Sequence, residues 1–95
     1  MIGIGVIGYG YWGPNLVRNV CEVPGAQVVA VSDMRSERLA QVQRRYPAIK
    51  TTTDHRELLT DSSIDAIVVA TPVSTHFDLA MQALRAGKHV SWKSR

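Results

Sequence analysis

Apolar positions along the chain form short unbroken runs that alternate with stretches of helical spacing. Ile2 to Ile7, Gln27 to Ser32 and Ile64 to Ala70 are runs of the first kind, rich in Val and Ile and short, as expected of strands covered on both faces. Between them, Leu16, Val17 and Val20 give one apolar face to a helix from Trp12 to Val23, which Pro24-Gly25 stops. Leu39, Val42 and Tyr46 do the same for Ser36 to Tyr46, ended by Pro47, while Arg38, Gln41, Arg44 and Arg45 read as a solvated basic face. Ile49 to Thr52 is a short strand, and Asp54 with Glu57 has the spacing of a capping box for a brief helix carrying Leu58 and Leu59. His55 in that helix reads as a surface residue, since no partner at metal-site spacing accompanies it. Ser74 or Thr75 is placed to cap a helix reaching Ala86, Gly87 to terminate it in the left-handed region, and His89-Val90-Ser91 to begin a fifth strand. This rhythm predicts an α/β domain built on a doubly wound parallel sheet of order 3-2-1-4-5, incomplete at its last strand.

The first strand runs into Gly8-x-Gly10-x-x-Gly13 and then into a helical pattern, the context that a dinucleotide-binding (Rossmann) turn requires. Gly8 allows the tight turn, Gly10 lets backbone approach a pyrophosphate, and Gly13 lets the helix lie close to the sheet. Pro14 suits the first helical turn, where its missing donor costs nothing. Gly3-x-Gly5-x-x-Gly8 has the same spelling, but no strand fits before Gly3 and Val6-Ile7 continues a strand, so these two glycines point instead to close packing overhead. Asp33 stands at the end of the second strand, twenty residues beyond Gly13. A carboxylate there accepts from adenosine ribose hydroxyls and repels a 2′-phosphate, favouring NAD; the same residue can serve as a turn or cap before Ser36. Arg35 leaves NADP open, because a guanidinium stacks on adenine or neutralises a 2′-phosphate. Thr71-Pro72 forces the chain out of the ladder after the fourth strand, freeing backbone at the sheet's carboxyl edge where ligands bind.

Composition narrows the alternatives. The chain has 95 residues, one domain's worth, and a formal charge of +3 whose Lys and Arg are dispersed, so no nucleic-acid footprint is indicated. Cys21 is the single cysteine, with a buried small hydrophobe as its default reading, and a reducing cytoplasm is inferred. No apolar run approaches a membrane span, and no zinc pattern, P-loop lysine or nucleophilic dyad occurs, so neither metal-binding nor catalytic residues are assigned.

Three blocks together resemble the NAD(P)-dependent glucose-fructose oxidoreductase and inositol dehydrogenase superfamily. They are Val6 to Asn15, Asp33 with Arg35, and Ala70-Thr-Pro-Val-Ser-Thr-His76 continuing to Ala86-Gly-Lys-His-Val90. The Tyr-Trp-Gly-Pro-Asn variant looks most like members acting on nucleotide-linked sugars. The resemblance implies that Gly8, Gly10, Tyr11 and Trp12 contact the pyrophosphate, that Asp33 and Arg35 hold the adenosine end, and that Thr71 and Pro72 line the nicotinamide ribose side with His76 close by. On the residues alone, His76 reads as a first-turn helix residue satisfied by its neighbours.

The ending departs from the family, which continues into Glu-Lys-Pro with a proton-transferring lysine; here Ser91-Trp92-Lys93-Ser94-Arg95 follows Val90. A one-base slip in reading frame is one explanation, since any Trp-Lys codon pair regroups to give glutamate, and a boundary or divergent tail are the others. The expectation is a dinucleotide-binding domain over residues 1–95 without its C-terminal substrate domain, binding a cofactor without turnover and prone to self-association through an uncovered sheet edge. A non-catalytic nucleotide sensor and an S-adenosylmethionine-dependent methyltransferase half-domain are the competing readings.

Overall fold

The structure, a computed structural model, describes residues 1–10 and 12–92. The expected strands form as β1 (Ile2–Ile7), β2 (Ala26–Ser32), β3 (Lys50–Thr52), β4 (Ala66–Val69) and β5 (His89–Trp92). All neighbours pair in parallel, in the order β3-β2-β1-β4-β5. Helices α1 (Gly13–Cys21), α2 (Ser36–Arg45), α3 (Arg56–Leu59) and α4 (Val73–Arg85) connect successive strands. β5 pairs along all four residues of β4.

Strand alternation sends successive side chains to opposite faces, and both faces are covered. Val6 and Val31 join Val17, Leu39 and Val42 of α1 and α2 on one side of the sheet. Ile7 and Ile67 join Leu58, Ile64 and Ala83 on the α3 and α4 side. β4 is shorter than the apolar run that announced it, because Asp65 turns to β1: its carboxylate accepts from Gly3 N at 2.8 Å and its own N–H donates to Gly3 O at 2.7 Å. Lys88 secures the same segment by donating from Nζ to the carbonyls of Asp61 and Ile64, at 2.8 and 2.6 Å.

The helix boundaries correct three expectations. Asp54 and Glu57 form no capping box: Asp54 Oδ1 accepts from Arg56 N, while Asp54 N donates to Thr52 Oγ1. The bidentate Arg56 partner holds the Asp54 carboxyl below its ordinary value, through side-chain and then backbone hydrogen bonding. α4 starts at Val73 rather than after a Ser74 or Thr75 cap, because Pro72 occupies the N-cap and the Thr75 hydroxyl bonds Thr71 Oγ1 and Pro72 O. Cys21 is exposed at the last turn of α1 instead of buried. The α4 terminus is as expected: Gly87 has φ +82°, with Gly87 N donating to Leu84 O and Lys88 N to Ala83 O in a Schellman arrangement. No helix among the described residues is long and apolar enough to cross a membrane.

Candidate functional site

At the carboxyl edge of the sheet a cleft of about 760 Å³ opens above β1, β2 and β4. Its walls come from the turn after β1 (Gly8, Gly10, Trp12), the end of β2 and start of α2 (Ser32 to Arg35, Arg38), and the segment after β4 from Ala70. The turn forms because Gly8 adopts φ +102°, and its N–H donates to Ser32 O at 2.7 Å. A Cβ on Gly13 would lie 2.8 Å from Gly8 O, so only glycine allows α1 to start this close to the strand it follows. α1 begins with Trp12 at its N-cap, no side-chain cap, a proline in the first turn and no acidic residue there. An uncapped helix start facing a cleft presents amides and a positive dipole end to an anion.

Asp33 is buried and organises the adjoining wall. Its Oδ2 accepts from Tyr9 N at 2.7 Å and its Oδ1 from Arg35 N at 2.8 Å, so one carboxylate ties the glycine turn to the start of α2. Arg38 Nη1 stands 3.4 Å from Asp33 Oδ2, and a Cβ built on Gly10 would meet that same nitrogen at 2.9 Å. Arg38 is therefore not part of the solvated basic face of α2; it reaches from the first turn of the helix into the cleft, over Gly10. A carboxylate offers about four acceptor positions, so these contacts leave capacity for a hydroxyl. Ser32 Oγ, at the inner end of the cleft, is buried with no hydrogen-bond partner among the described residues, a cost that a bound polar group or water would relieve. Burial raises the pKa of the Tyr9 phenol, with the Tyr46 phenol as the next cause, so its ring stays neutral in the core below the turn.

The residues singled out by sequence are thus arranged as follows. Gly8, Gly10, Trp12, Asp33, Arg35, Thr71 and Pro72 all line the cleft, with Gly13 packed immediately behind it. Tyr11 lies outside the described residues, as do Lys93, Ser94 and Arg95. His76 is buried, and its Nε2 bonds the carbonyl of Thr71 behind the wall. That contact matches the reading of His76 as a helix residue satisfied by its neighbours. Arg38 and His55, expected on the surface, also stand in the wall, as do Ser32 and Asp78, to which the sequence assigned no role. His55 is half-buried rather than on the open surface. For Arg38 a signal existed: it stands five residues after Asp33 in the first turn of the next helix, within an arginine's reach.

Comparison with known proteins bears on the family and the fold. Residues 2–92 match the family model described as the oxidoreductase family with an NAD-binding Rossmann fold, Gfo/Idh/MocA. The scyllo-inositol 2-dehydrogenase (NAD(+)) of Bacillus subtilis is 40% identical over 90 residues, covering 95% of this chain and 25% of the relative. GenD2 from gentamicin A biosynthesis, solved in complex with NAD, superposes with a TM-score of 0.90 at 28% identity, over 96% of this chain and 26% of that one. A variant of KijD10, a 3-ketoreductase from Actinomadura kijaniata solved with TDP-benzene and NADP, gives 0.85 at 28% identity, over 96% and 29%. The chain spans about a quarter of the length of the curated relative, 25%.

Proposed function

The chain belongs to the Gfo/Idh/MocA oxidoreductase family as its NAD-binding Rossmann fold, and from that premise we propose that the cleft holds the cofactor of a dehydrogenase acting on a sugar, nucleotide-sugar or polyol CH–OH group. The observation that carries this reading is that Gly10, the uncapped start of α1 and Asp33 line one cleft. The bound nicotinamide would supply the hydride chemistry, and the residues of this chain would hold and orient it. Gly8, Gly10 and the Tyr11-Trp12 backbone would take the pyrophosphate, Asp33 and Arg35 the adenosine, and Thr71 and Pro72 the nicotinamide ribose side. His76 would act only indirectly, by fixing the Thr71 carbonyl.

NAD is the preferred cofactor in this proposal because a 2′-phosphate would meet the Asp33 carboxylate. Arg38 and Arg35 partly offset that repulsion, so NADP binds more weakly instead of being rejected outright. Substrate recognition resides outside these 95 residues, which act in the cytoplasm and bind without turnover. Titration of the purified chain should show NAD binding about tenfold tighter than NADP, roughly 1.4 kcal/mol, and no dehydrogenase rate with a polyol. Failure to bind either dinucleotide would sink the proposal, and measurable turnover would refute its inactive part.

The partner expected from sequence is a second copy. β3 and β5 are the edges of the sheet, and Val73, Phe77 and Leu84 are exposed along α4 next to β5. Unpaired strand edges and contiguous apolar surface favour association. Sedimentation velocity should show concentration-dependent self-association that Phe77→Glu reduces; a monomer at all concentrations would exclude it.

A further inference from the structure

The cofactor reading leaves unexplained a row of three polar side chains on the α3 and α4 side of the cleft. His55 Nε2 lies 2.9 Å from Gln82 Oε1, and Gln82 Nε2 donates to Asp78 Oδ2 at 3.1 Å. Asp78 and Gln82 stand one turn apart on α4, whereas His55 is the N-cap of α3, just beyond β3. His55, Asp78 and Leu79 line the same cleft as Gly10 and Asp33.

The row selects one tautomer of the neutral ring. An ionised carboxylate only accepts, so Asp78 turns the amide nitrogen of Gln82 toward itself and leaves Oε1 facing the imidazole. That oxygen also only accepts, so the hydrogen of the neutral ring sits on Nε2 and Nδ1 becomes the acceptor. The topology places this acceptor at one end of the ligand. Asp33 at the end of β2 would take the ribose, and β3 flanks β2, so the base beyond that ribose falls where Thr53 and His55 leave β3.

The geometry points to His55 as the reader of the nucleotide base, accepting at Nδ1 from the exocyclic amine of adenine, with Gln82 and Asp78 as positioning residues that hold the ring in that tautomer. This rests on the cleft being a dinucleotide site and goes beyond it, because the row selects a 6-aminopurine against a 6-oxopurine. A carbonyl at that position sets acceptor against acceptor and leaves both unpaired, the kind of mismatch by which polar sites discriminate most strongly.

The probes are NAD and nicotinamide hypoxanthine dinucleotide, which differ at that one group of the base. Calorimetry on the full chain should give an affinity for NAD about tenfold or more above that for the hypoxanthine analogue. His55→Phe keeps a ring in place and removes the acceptor, so the ratio of the two affinities should fall to near one. Gln82→Met should shrink the ratio as well, whereas a merely structural role for Gln82 would weaken both ligands equally and leave it unchanged. Circular dichroism of each variant confirms the fold. Equal affinities in the unaltered chain, or an unchanged ratio in His55→Phe, overturn base reading while leaving the dinucleotide site standing. Binding of neither probe to the unaltered chain overturns both.

Discussion

Gly3→Ala is expected to lower the stability of the chain by about 3 kcal/mol or more, the upper end of what overpacking costs. A Cβ at this position would lie 1.9 Å from the carbonyl oxygen of Ser63, well inside contact distance, and the obstacle is backbone. The segment carrying Ser63 cannot retreat freely. Asp65, two residues on, exchanges hydrogen bonds with both the N–H and the carbonyl of Gly3, and Lys88 grips the carbonyls of Asp61 and Ile64 on either side. Relief therefore means breaking charge-assisted or buried bonds, each worth about 1–3 kcal/mol. Against a total stability of roughly 5–15 kcal/mol, such a loss would leave a large part of the population unfolded on modest heating. Gly5 supplies the contrast. Its added Cβ would meet only the tips of Ile64, Ile67 and Leu58, all at 3.1 Å, and flexible side-chain ends can give by a few tenths of an ångström. Urea melts should rank Gly3→Ala far below Gly5→Ala; equal midpoints would show that the approach of β1 to the Ser63 segment is not rigid.

The two overlapping glycine motifs show how far the sequence could be read and where physical context had to finish the reading. Gly3 and Gly5 lie inside β1 under packed neighbours, while Gly8, Gly10 and Gly13 build a turn, as the strand-then-helix pattern required. Strand order was legible because short apolar runs alternating with helical spacing leave few right-handed solutions. Termini were less legible. The box at Asp54 and Glu57 and the cap at Ser74 or Thr75 depend on which residue leaves helical geometry, and Pro72 and the Thr52 hydroxyl settled that locally. Arg38 escaped notice for another reason. Periodicity assigns a helix face from Cα positions, but a guanidinium on a long stem can leave that face, and the buried Asp33 carboxylate draws it inward. His55 needed tertiary knowledge, since its partner Gln82 is 27 residues away on α4.

Asp33→Ala should have the largest effect on binding, weakening NAD by about 10- to 150-fold, the equivalent of losing about 1.5–3 kcal/mol from hydrogen bonds to a charged acceptor. Two losses act together. The direct one is the acceptor for the ribose hydroxyls. The indirect one follows from the strap that this side chain makes: without it, Tyr9 N and Arg35 N lose their acceptor, and the turn that carries Gly10 is no longer tied to the end of β2. Arg38 also loses its anionic partner over Gly10, so positive charge in the cleft is no longer neutralised. NADP should then suffer less than NAD, because the repulsion between carboxylate and 2′-phosphate disappears along with the useful contacts. Asp33→Asn cuts only part of the strap: it keeps the side chain's size and one acceptor oxygen, but removes the charge and sets its amide nitrogen against either Tyr9 N or Arg35 N. If the strap dominates, the Asn variant retains more thermal stability than the Ala variant and a comparable share of its NAD affinity. If the ribose contact dominates, Asn loses affinity for NAD out of proportion to its loss of thermal stability. An Ala variant that binds NAD as tightly as before would remove Asp33 from the site altogether, and with it the reading of the wall above β2 as the adenosine end.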